Sequence, residues 1–259
     1  MIATPPAVQL YSVREQMITD RKGVLAQLAA FGYGAVEPFN ILNDPEGLHA
    51  DLGAAGLDVC SVHANPAGDQ AEAVVSAART LGADTIIVPI LPTERFADLD
   101  GVRDVARELN EASRRLADAG LRVGYHNHDF ELSSTIGDRP ALEVLADHLD
   151  DEVLLEVDTY WAAVGLRSAA VGLRGPAAVP DLLRRLGERV RYLHVKDGPA
   201  TSRDDEMTAV GAGSMPVADI LAANPSVRWH VVELDRCATD MLTAVRESLD
   251  WLVRQGLAR

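Results

Sequence analysis

Acidic and imidazole side chains follow four apolar stretches in the second half of the sequence. These stretches run into the motifs GYHNHDFE, LEVDTYW, YLHVKDG and VVELDR. Carboxylates brought together in a partly dry site repel one another and lose hydration unless a cation or a base compensates them. Two carboxylates with one or two imidazoles suit a divalent metal ion. We expect His126, Asp158, His194 and Glu233 to be its ligands.

The same reasoning indicates which metal ion the site prefers, but it leaves open which residues of the first motif face the site. A mixed nitrogen and oxygen set favours Mn²⁺, is compatible with Fe²⁺, Co²⁺ or Zn²⁺, and suits Mg²⁺ less well because imidazole is a poor ligand for it. In GYHNHDFE, alternation along a strand leaves two choices: either His126 and His128 or Tyr125 and Asn127 face the site.

The elements that must position these side chains are repeated βα units. Short β-branched or apolar runs are each followed by a turn and a segment with helical spacing. Eight strands are predicted at residues 7–13, 35–37, 57–62, 85–90, 121–126, 153–157, 190–195 and 228–234. This alternation over 259 residues favours a single parallel (β/α)8 TIM-barrel domain, residues 1–259, over an open sheet. In such barrels the carboxyl ends of the strands form the active-site mouth.

The helical and loop segments carry weaker signals. Apolar residues at 102, 105, 109, 112 and 116 predict a helix that Gly120 terminates, and Thr239 is a candidate N-cap of the last helix. Residues 165–180 are rich in small side chains and are expected to form a loop or lid over the mouth. The Asp204-Asp205-Glu206 run is expected to be a solvated loop.

Charge and composition exclude several classes of protein. The formal net charge of −15 repels phosphate backbones, so we expect no nucleic-acid partner. No apolar run approaches the length of a membrane span, and we expect no membrane partner. Two cysteines and no secretory leader favour a cytoplasmic protein.

The motifs together resemble those of the xylose-isomerase-like TIM-barrel superfamily. This group includes ketose epimerases, sugar isomerases, inosose dehydratases and, more remotely, endonuclease IV. The likeness covers most of the chain and rests on VQLYSVR, GYGAVE, SVH, YHNHDFE, EVDTYW, HVKD and VVEL. It implies a metal held at Asp158, His194 and Glu233 with a fourth ligand from the fifth strand, a sugar-like substrate, and a homodimer. The acidity of the chain and the lack of a larger His-rich set argue against endonuclease chemistry.

The sequence departs from the superfamily at the fifth strand. Many relatives have Glu-Asn-His where this chain has His126-Asn127-His128, so His126 replaces a glutamate ligand. Epimerases of this group resemble one another in using two metal-bound glutamates, and this chain retains Glu233 alone. The Tyr-His-x-His form is similar to that of inosose dehydratases and related keto-sugar enzymes.

The shared chemistry is removal of a proton from the carbon next to a carbonyl, with a metal stabilising the enediolate. Glu233 is the candidate base. Lys196 is either an acid or oxyanion stabiliser, or a structural partner of an inward acid such as Glu156. The remaining candidates for substrate binding, through hydroxyl contacts or stacking on the sugar face, are Glu37, His63, His128, Glu131, Trp161 and Tyr11.

The sequence leaves four candidate functions. The preferred one is a metal-dependent isomerase or epimerase of a sugar or keto sugar. Its nearest rival is a dehydratase or lyase of a keto-inositol or 3-keto-glycoside. A Schiff-base aldolase with Lys196 as nucleophile and a non-catalytic sugar-binding barrel are the other two.

Overall fold

The computed structural model describes residues 6–168 and 175–258. Eleven strands lie in these residues: β1 (Ala7–Gln9), β2 (Ala35–Glu37), β3 (Asp58–Val59), β4 (Val62–His63), β5 (Thr85–Val88), β6 (Arg122–His126), β7 (Thr135–Ile136), β8 (Arg139–Pro140), β9 (Leu154–Asp158), β10 (Val190–Val195) and β11 (Trp229–Val232).

Ten α-helices alternate with these strands: α1 (Arg14–Phe31), α2 (Pro45–Ala55), α3 (Ala71–Thr80), α4 (Leu99–Ala117), α5 (Phe130–Ser133), α6 (Ala141–His148), α7 (Thr159–Ser168), α8 (Val179–Leu186), α9 (Val217–Ala222) and α10 (Met241–Arg254). No described helix has both the length and the apolar character that crossing a membrane requires.

The parallel strands form the predicted TIM barrel. Nine of them follow the order β3-β2-β1-β11-β10-β9-β6-β5-β4. The two end strands, β3 and β4, belong to one stretch of chain, whose first half pairs with β2 and whose second half pairs with β5. This single irregular stretch is the third strand predicted at residues 57–62, and it closes the sheet on itself. The remaining pair, β7 and β8, is a small antiparallel hairpin that the sequence pattern did not predict.

The barrel interior consists of two layers. One layer is an apolar cluster that precedes the polar ends of the strands, made of Ala7, Ala35, Cys60, Ile87, Leu154, Tyr192, Trp229 and Val231. On several of these strands the inward position two residues further along is polar, as in the steps from Ala35 to Glu37 and from Leu154 to Glu156. The pleat of the strands therefore delivers the charged side chains to one end of the barrel.

A larger apolar core lies between the strands and the surrounding helices. Helix α4 shows how the sequence builds it, since its predicted apolar positions 102, 105, 109, 112 and 116 are all buried. The side chain of Asp98 caps this helix by accepting a hydrogen bond from the Gly101 amide. Gly120, with φ of +73°, turns the chain toward β6 as predicted.

Three local predictions need correction. The last helix is capped by Asp240, which accepts a hydrogen bond from the Thr243 amide at 2.8 Å, and not by Thr239. The first strand ends at Gln9 because the Ser12 amide turns back to the Gln9 carbonyl. In the segment 165–180, residues 169–174 lie outside the described residues, and the flanking parts are the end of α7, a 3-10 helix at Gly175–Ala178 and the start of α8 rather than a loop. The acidic run 204–206 is an exposed loop, as expected.

Candidate metal centre

The polar layer forms the floor of a cavity of about 400 Å³ at the carboxyl ends of the strands. Its lining includes Tyr11, Phe39, His63, His126, His128, Trp161, Glu233 and Asp235. These side chains come from loops and strand ends that are far apart in the sequence. The cavity is thus the mouth of the barrel, where the charged motifs were expected to meet.

The four predicted metal ligands lie together on this floor. One donor atom from each of His126, Asp158, His194 and Glu233 lies within 4.8 Å of every other, and all four residues are buried. The His194 Nδ1 atom lies 2.6 Å from the Glu233 Oε2 atom, and the His126 Nε2 atom lies 3.8 Å from the Asp158 Oδ2 atom. Such a compact set of two imidazoles and two carboxylates has the donor chemistry of a divalent transition-metal site.

Hydrogen bonds fix which oxygen of Asp158 faces the cluster. Its Oδ1 atom accepts hydrogen bonds from the amides of Tyr160 and Trp161, at the beginning of α7. The Asp158 amide donates to Asn127 Oδ1 at 3.1 Å, which ties the end of β9 to the end of β6. The Oδ2 atom is consequently directed toward His126 and Lys196.

A second carboxylate, Glu156, orients both imidazoles from the other side. Its Oε2 atom lies 3.0 Å from His126 Nδ1 and 3.2 Å from His194 Nε2. These contacts leave His126 Nε2 and His194 Nδ1 facing the ligand cluster. Carboxylates that hold the far nitrogen of a ligating histidine are a common feature of metal sites.

Lys196 lies beside the cluster and is buried among carboxylates. Its Nζ atom lies 2.7 Å from Glu233, 2.8 Å from Asp158 and 2.8 Å from Asp235. Burial opposes its charge, but the three carboxylates outweigh burial, and the pKa of Lys196 is well above its ordinary value. The partner named in advance, Glu156, is wrong, because Glu156 contacts the histidines instead.

The two carboxylates of the ligand cluster, Asp158 and Glu233, have pKa values that are shifted in opposite directions. Burial raises the pKa of Asp158 to about 6, although Lys196 opposes this. Burial acts in the same direction on Glu233, but Lys196 and His194 outweigh it and hold the pKa of Glu233 well below its usual range. Glu233 is therefore ionised at neutral pH and lines the cavity.

The surroundings of the histidines also shift their pKa values in different directions. Burial lowers the pKa of His126 well below its ordinary value, and His194 lowers it further. For His194, burial is outweighed by the Glu156 and Glu233 carboxylates, so its pKa is raised well above the ordinary value. Burial and the nearby Lys196 charge lower the pKa of His128 to about 4.

Below the four ligands, a second group of polar side chains extends into the barrel. The Glu37 Oε2 atom lies 2.7 Å from His194 Nε2 and 3.2 Å from His63 Nε2. Gln9 donates a hydrogen bond to the same carboxylate at 2.7 Å, and Ser61 donates to its other oxygen. Glu37 therefore holds His194, and His63 bridges Glu37 and Glu156, the latter at 2.7 Å. Of Glu37 and His63, only His63 lines the mouth cavity.

The charge balance of the site fits a divalent cation. Five carboxylates converge here, from Glu37, Glu156, Asp158, Glu233 and Asp235, against the single ammonium group of Lys196 and the histidines. The Glu156 Oε1 atom is buried without a hydrogen-bond partner. Excess buried negative charge is costly unless a cation balances it, so the donor set and its surroundings suit a doubly charged ion.

The other predicted substrate contacts divide into two groups. Tyr11, His128 and Trp161 line the mouth cavity, and the Trp161 indole donates a hydrogen bond to Asp235. The fully buried Glu131 instead accepts hydrogen bonds from the Tyr125 hydroxyl and the His128 amide. Its expected contact with a substrate hydroxyl is corrected to a role in positioning the loop that carries His128.

The structure also shows which residues of the first motif face the mouth and which further residues belong to the site. His126, the last residue of β6, and His128, two residues beyond it, line the mouth cavity, whereas Tyr125 packs against Phe96. Asp235 and Glu156 each lie two residues from a proposed ligand, Glu233 and Asp158, so alternation along a strand is the signal that could have found them. Asn127, which joins two strand ends, had no sequence signal beyond its place between two histidines.

Solved structures of similar fold cover nearly the whole chain. A sugar phosphate isomerase/epimerase from Parabacteroides distasonis ATCC 8503 superposes with a TM-score of 0.79 and 19% identity, covering 98% of this chain and 99% of that one. The IolI protein with a bound zinc atom gives 0.67 and 14%, covering 97% of each chain. AsbF from Bacillus anthracis, a probable 3-DHS dehydratase, gives 0.71 and 11%, covering 96% and 99%. These similarities show a shared fold.

A search of curated proteins finds no match to the sequence. The family model of the xylose isomerase-like TIM barrel, in contrast, matches residues 25–255. The barrel topology and the resemblance of the motifs agree with this match. The chain belongs to the xylose isomerase-like TIM-barrel family.

Proposed function

We propose that the protein is a divalent-metal-dependent isomerase or epimerase that removes the proton next to the carbonyl of a sugar or keto sugar. The observation that carries this proposal is the position of Glu233, an ionised carboxylate on the cavity floor that adjoins both the ligand cluster and Lys196. The family and the isomerase/epimerase of similar fold support it.

His126, Asp158, His194 and Glu233 are the residues that would hold the ion. When bound, the ion supplies Lewis-acid stabilisation of negative charge on the sugar oxygens. The mixed donor set favours Mn²⁺, and the zinc bound by IolI supports a first-row transition metal more generally.

The remaining chemistry belongs to side chains at the mouth. Glu233 accepts the proton, and Lys196 holds Glu233 and Asp158 in place through its ion pairs. The neutral His128 has a buried Nδ1 atom without a hydrogen-bond partner, which offers a contact to a sugar hydroxyl. The protonated state of Lys196 argues against a Schiff-base aldolase, because that reaction needs a free amine.

Proton exchange in deuterated water tests the proposal. We expect Mn²⁺-loaded protein to introduce deuterium next to the carbonyl of at least one member of a panel of ketohexoses and keto-inositols. Glu233→Gln keeps a ligand oxygen but removes the base, so exchange falls by about a thousandfold. Glu206→Gln, on an exposed loop, is the matched control and retains full exchange. Full exchange in Glu233→Gln, or none in the wild type with any substrate, contradicts the proposal.

A metal-dependent dehydratase or lyase is the second candidate. The observation in its favour is His126, an imidazole that stands with Glu233 in the ligand cluster where the epimerase pattern has a second glutamate. The probable dehydratase of similar fold supports it. Mass spectrometry of the products separates the two reactions, since elimination releases water or an aglycone and epimerisation leaves the mass unchanged.

A further inference from the structure

A second cavity adjoins the mouth of the barrel. It has a volume of about 550 Å³ and lies between the beginning of α1 and the loop after β2. Tyr11, Phe39 and Asn40 line both this outer cavity and the mouth cavity. The Tyr11 and Phe39 rings form an edge-on pair with centroids 5.3 Å apart, so this aromatic pair lies at the boundary between the two cavities.

Exposed apolar side chains gather around these two cavities. Among the described residues, the exposed large hydrophobic side chains are Tyr11, Ile18, Ile90 and Val253. Ile18 is 87% exposed and lines the outer cavity, while Ile90 is 56% exposed and lines the mouth. Clustered exposed apolar groups beside a binding cavity mark a surface that a ligand covers.

The cations of the outer cavity are already engaged. Arg14 donates hydrogen bonds to the carbonyl oxygens of Tyr11 and Asp235 and stacks over the Tyr11 ring at 4.0 Å. Arg21 pairs with Asp44 and Asp51 at 2.9 and 2.7 Å. Two carboxylates therefore neutralise Arg21, whereas Arg14 keeps its charge but is held against the Tyr11 ring and two carbonyl oxygens. The lining of the outer cavity is otherwise mainly apolar.

The glycine-rich loop after β10 is also unsuited to an anion. TIM barrels frequently bind phosphate with loops after the seventh and eighth strands. Here the carboxylate of Asp197 accepts hydrogen bonds from the amides of Gly198, Gly211, Gly213 and Met215, at 2.8 to 3.2 Å. A Cβ atom at Gly213 would lie 2.2 Å from this carboxylate, so the loop is fitted closely around it. The chain's own carboxylate fills the place of an external anion.

We propose that the substrate is an unphosphorylated sugar with an apolar, aryl-sized substituent. The sugar lies at the ligand cluster, and the substituent lies in the outer cavity against Tyr11, Phe39 and Ile18. This inference rests on the proposed function, which places the reacting sugar in the mouth. It narrows the substrate class, since an apolar outer cavity suits an aryl group better than a phosphate and the glycine-rich loop already holds the Asp197 carboxylate.

Calorimetric titration of the Mn²⁺-loaded protein tests the inference with unreactive probes. We expect phenyl β-D-glucopyranoside to bind at least about tenfold more tightly than methyl β-D-glucopyranoside, because the ring buries apolar surface. Glucose 6-phosphate is expected to bind no more tightly than glucose. In Ile18→Asp the phenyl-to-methyl affinity ratio falls about fivefold or more. Val253→Asp changes an exposed apolar residue outside both cavities and leaves the ratio unchanged.

Equal affinities for the phenyl and methyl glycosides, a preference for the phosphate, or an unchanged ratio in Ile18→Asp overturns the inference. If proton exchange persists with any of these results, the proposed function stands and only the substrate class is wrong. If no probe binds and no exchange occurs, the proposed function fails and the inference fails with it.

Discussion

The two layers of the barrel interior are built on the same strands but are stabilised by different interactions. In strand β9, Leu154 belongs to the apolar layer, whereas Glu156 and Asp158 belong to the charged layer. The apolar layer is stabilised by packing and needs no partner. The charged layer buries carboxylates whose charge is balanced by histidines, by Lys196 and, as we propose, by a metal ion. In a strand such as β9, the residue in the apolar layer therefore stabilises the fold, whereas the residues in the charged layer lower its stability and serve the proposed function.

The largest expected effect is the loss of the metal in Asp158→Ala. This change removes one of two ligand carboxylates, so we expect the affinity for Mn²⁺ to fall by a factor on the order of a hundred or more and the activity by about a thousandfold. Metal analysis after dialysis and kinetic assays measure both. The exposed Asp138→Ala is the control and retains both properties. Full metal content in Asp158→Ala would remove this residue from the proposed site.

At Leu154, in the apolar part of β9, we expect a loss of stability without a loss of metal. Leu154→Ala leaves a cavity in the apolar layer and lowers the free energy of unfolding by about 2 to 5 kcal/mol. The metal content of the folded protein remains that of the wild type. Denaturant titration and metal analysis test this pair of outcomes, and a variant of normal stability that loses its metal would contradict the division into two layers.

Metal binding itself should stabilise the charged layer. At a Mn²⁺ concentration one hundred times the dissociation constant, the free energy of unfolding rises by about 2.7 kcal/mol. The same concentration gives no comparable rise in Asp158→Ala and an undiminished rise in Leu154→Ala. Thermal unfolding with Mn²⁺ and with a chelator measures the difference. A shift that is equal in all three proteins would place the binding elsewhere.

The smallest expected effect concerns a polar residue outside both layers. His230 lies on β11 between inward-facing neighbours, is buried, and has both ring nitrogens without hydrogen-bond partners. Burial lowers its pKa from 6.5 to about 4. Between these values the unfolded chain binds a proton that the folded chain does not, so stability falls as the pH falls. At pH 5.5 this loss amounts to about 1 kcal/mol.

The substitution His230→Leu should remove that loss. Its free energy of unfolding, relative to the wild type, is expected to be about 1 kcal/mol more favourable at pH 5.5 than at pH 7.5. Denaturant titrations at the two pH values provide the measurement. A difference between variant and wild type that does not change with pH would show that His230 is not the group responsible.

Much of the fold could be predicted because its signals are local. The strands at residues 35–37 and 190–195 have the bounds that the apolar pattern predicts, and the helix over positions 102–116 follows its apolar spacing. The break in the third strand could not be predicted, because its two halves pair with different neighbours. The cap at Asp240 was missed because Thr239 has the same capping chemistry one residue earlier.

The sequence by itself determined which side chains share one face of a strand, since the period of two along a strand is a property of the local backbone. In the first motif it left two alternatives, and the preference for His126 came from its chemistry as a ligand. Together with their donor chemistry, this pattern identified His126, Asp158, His194 and Glu233 as a set. The tertiary structure alone decided that Glu156 holds two histidines, that Lys196 pairs with three carboxylates, and that an apolar cavity adjoins the mouth. Such contacts depend on how distant strands are staggered when the barrel closes, and no local pattern records that stagger.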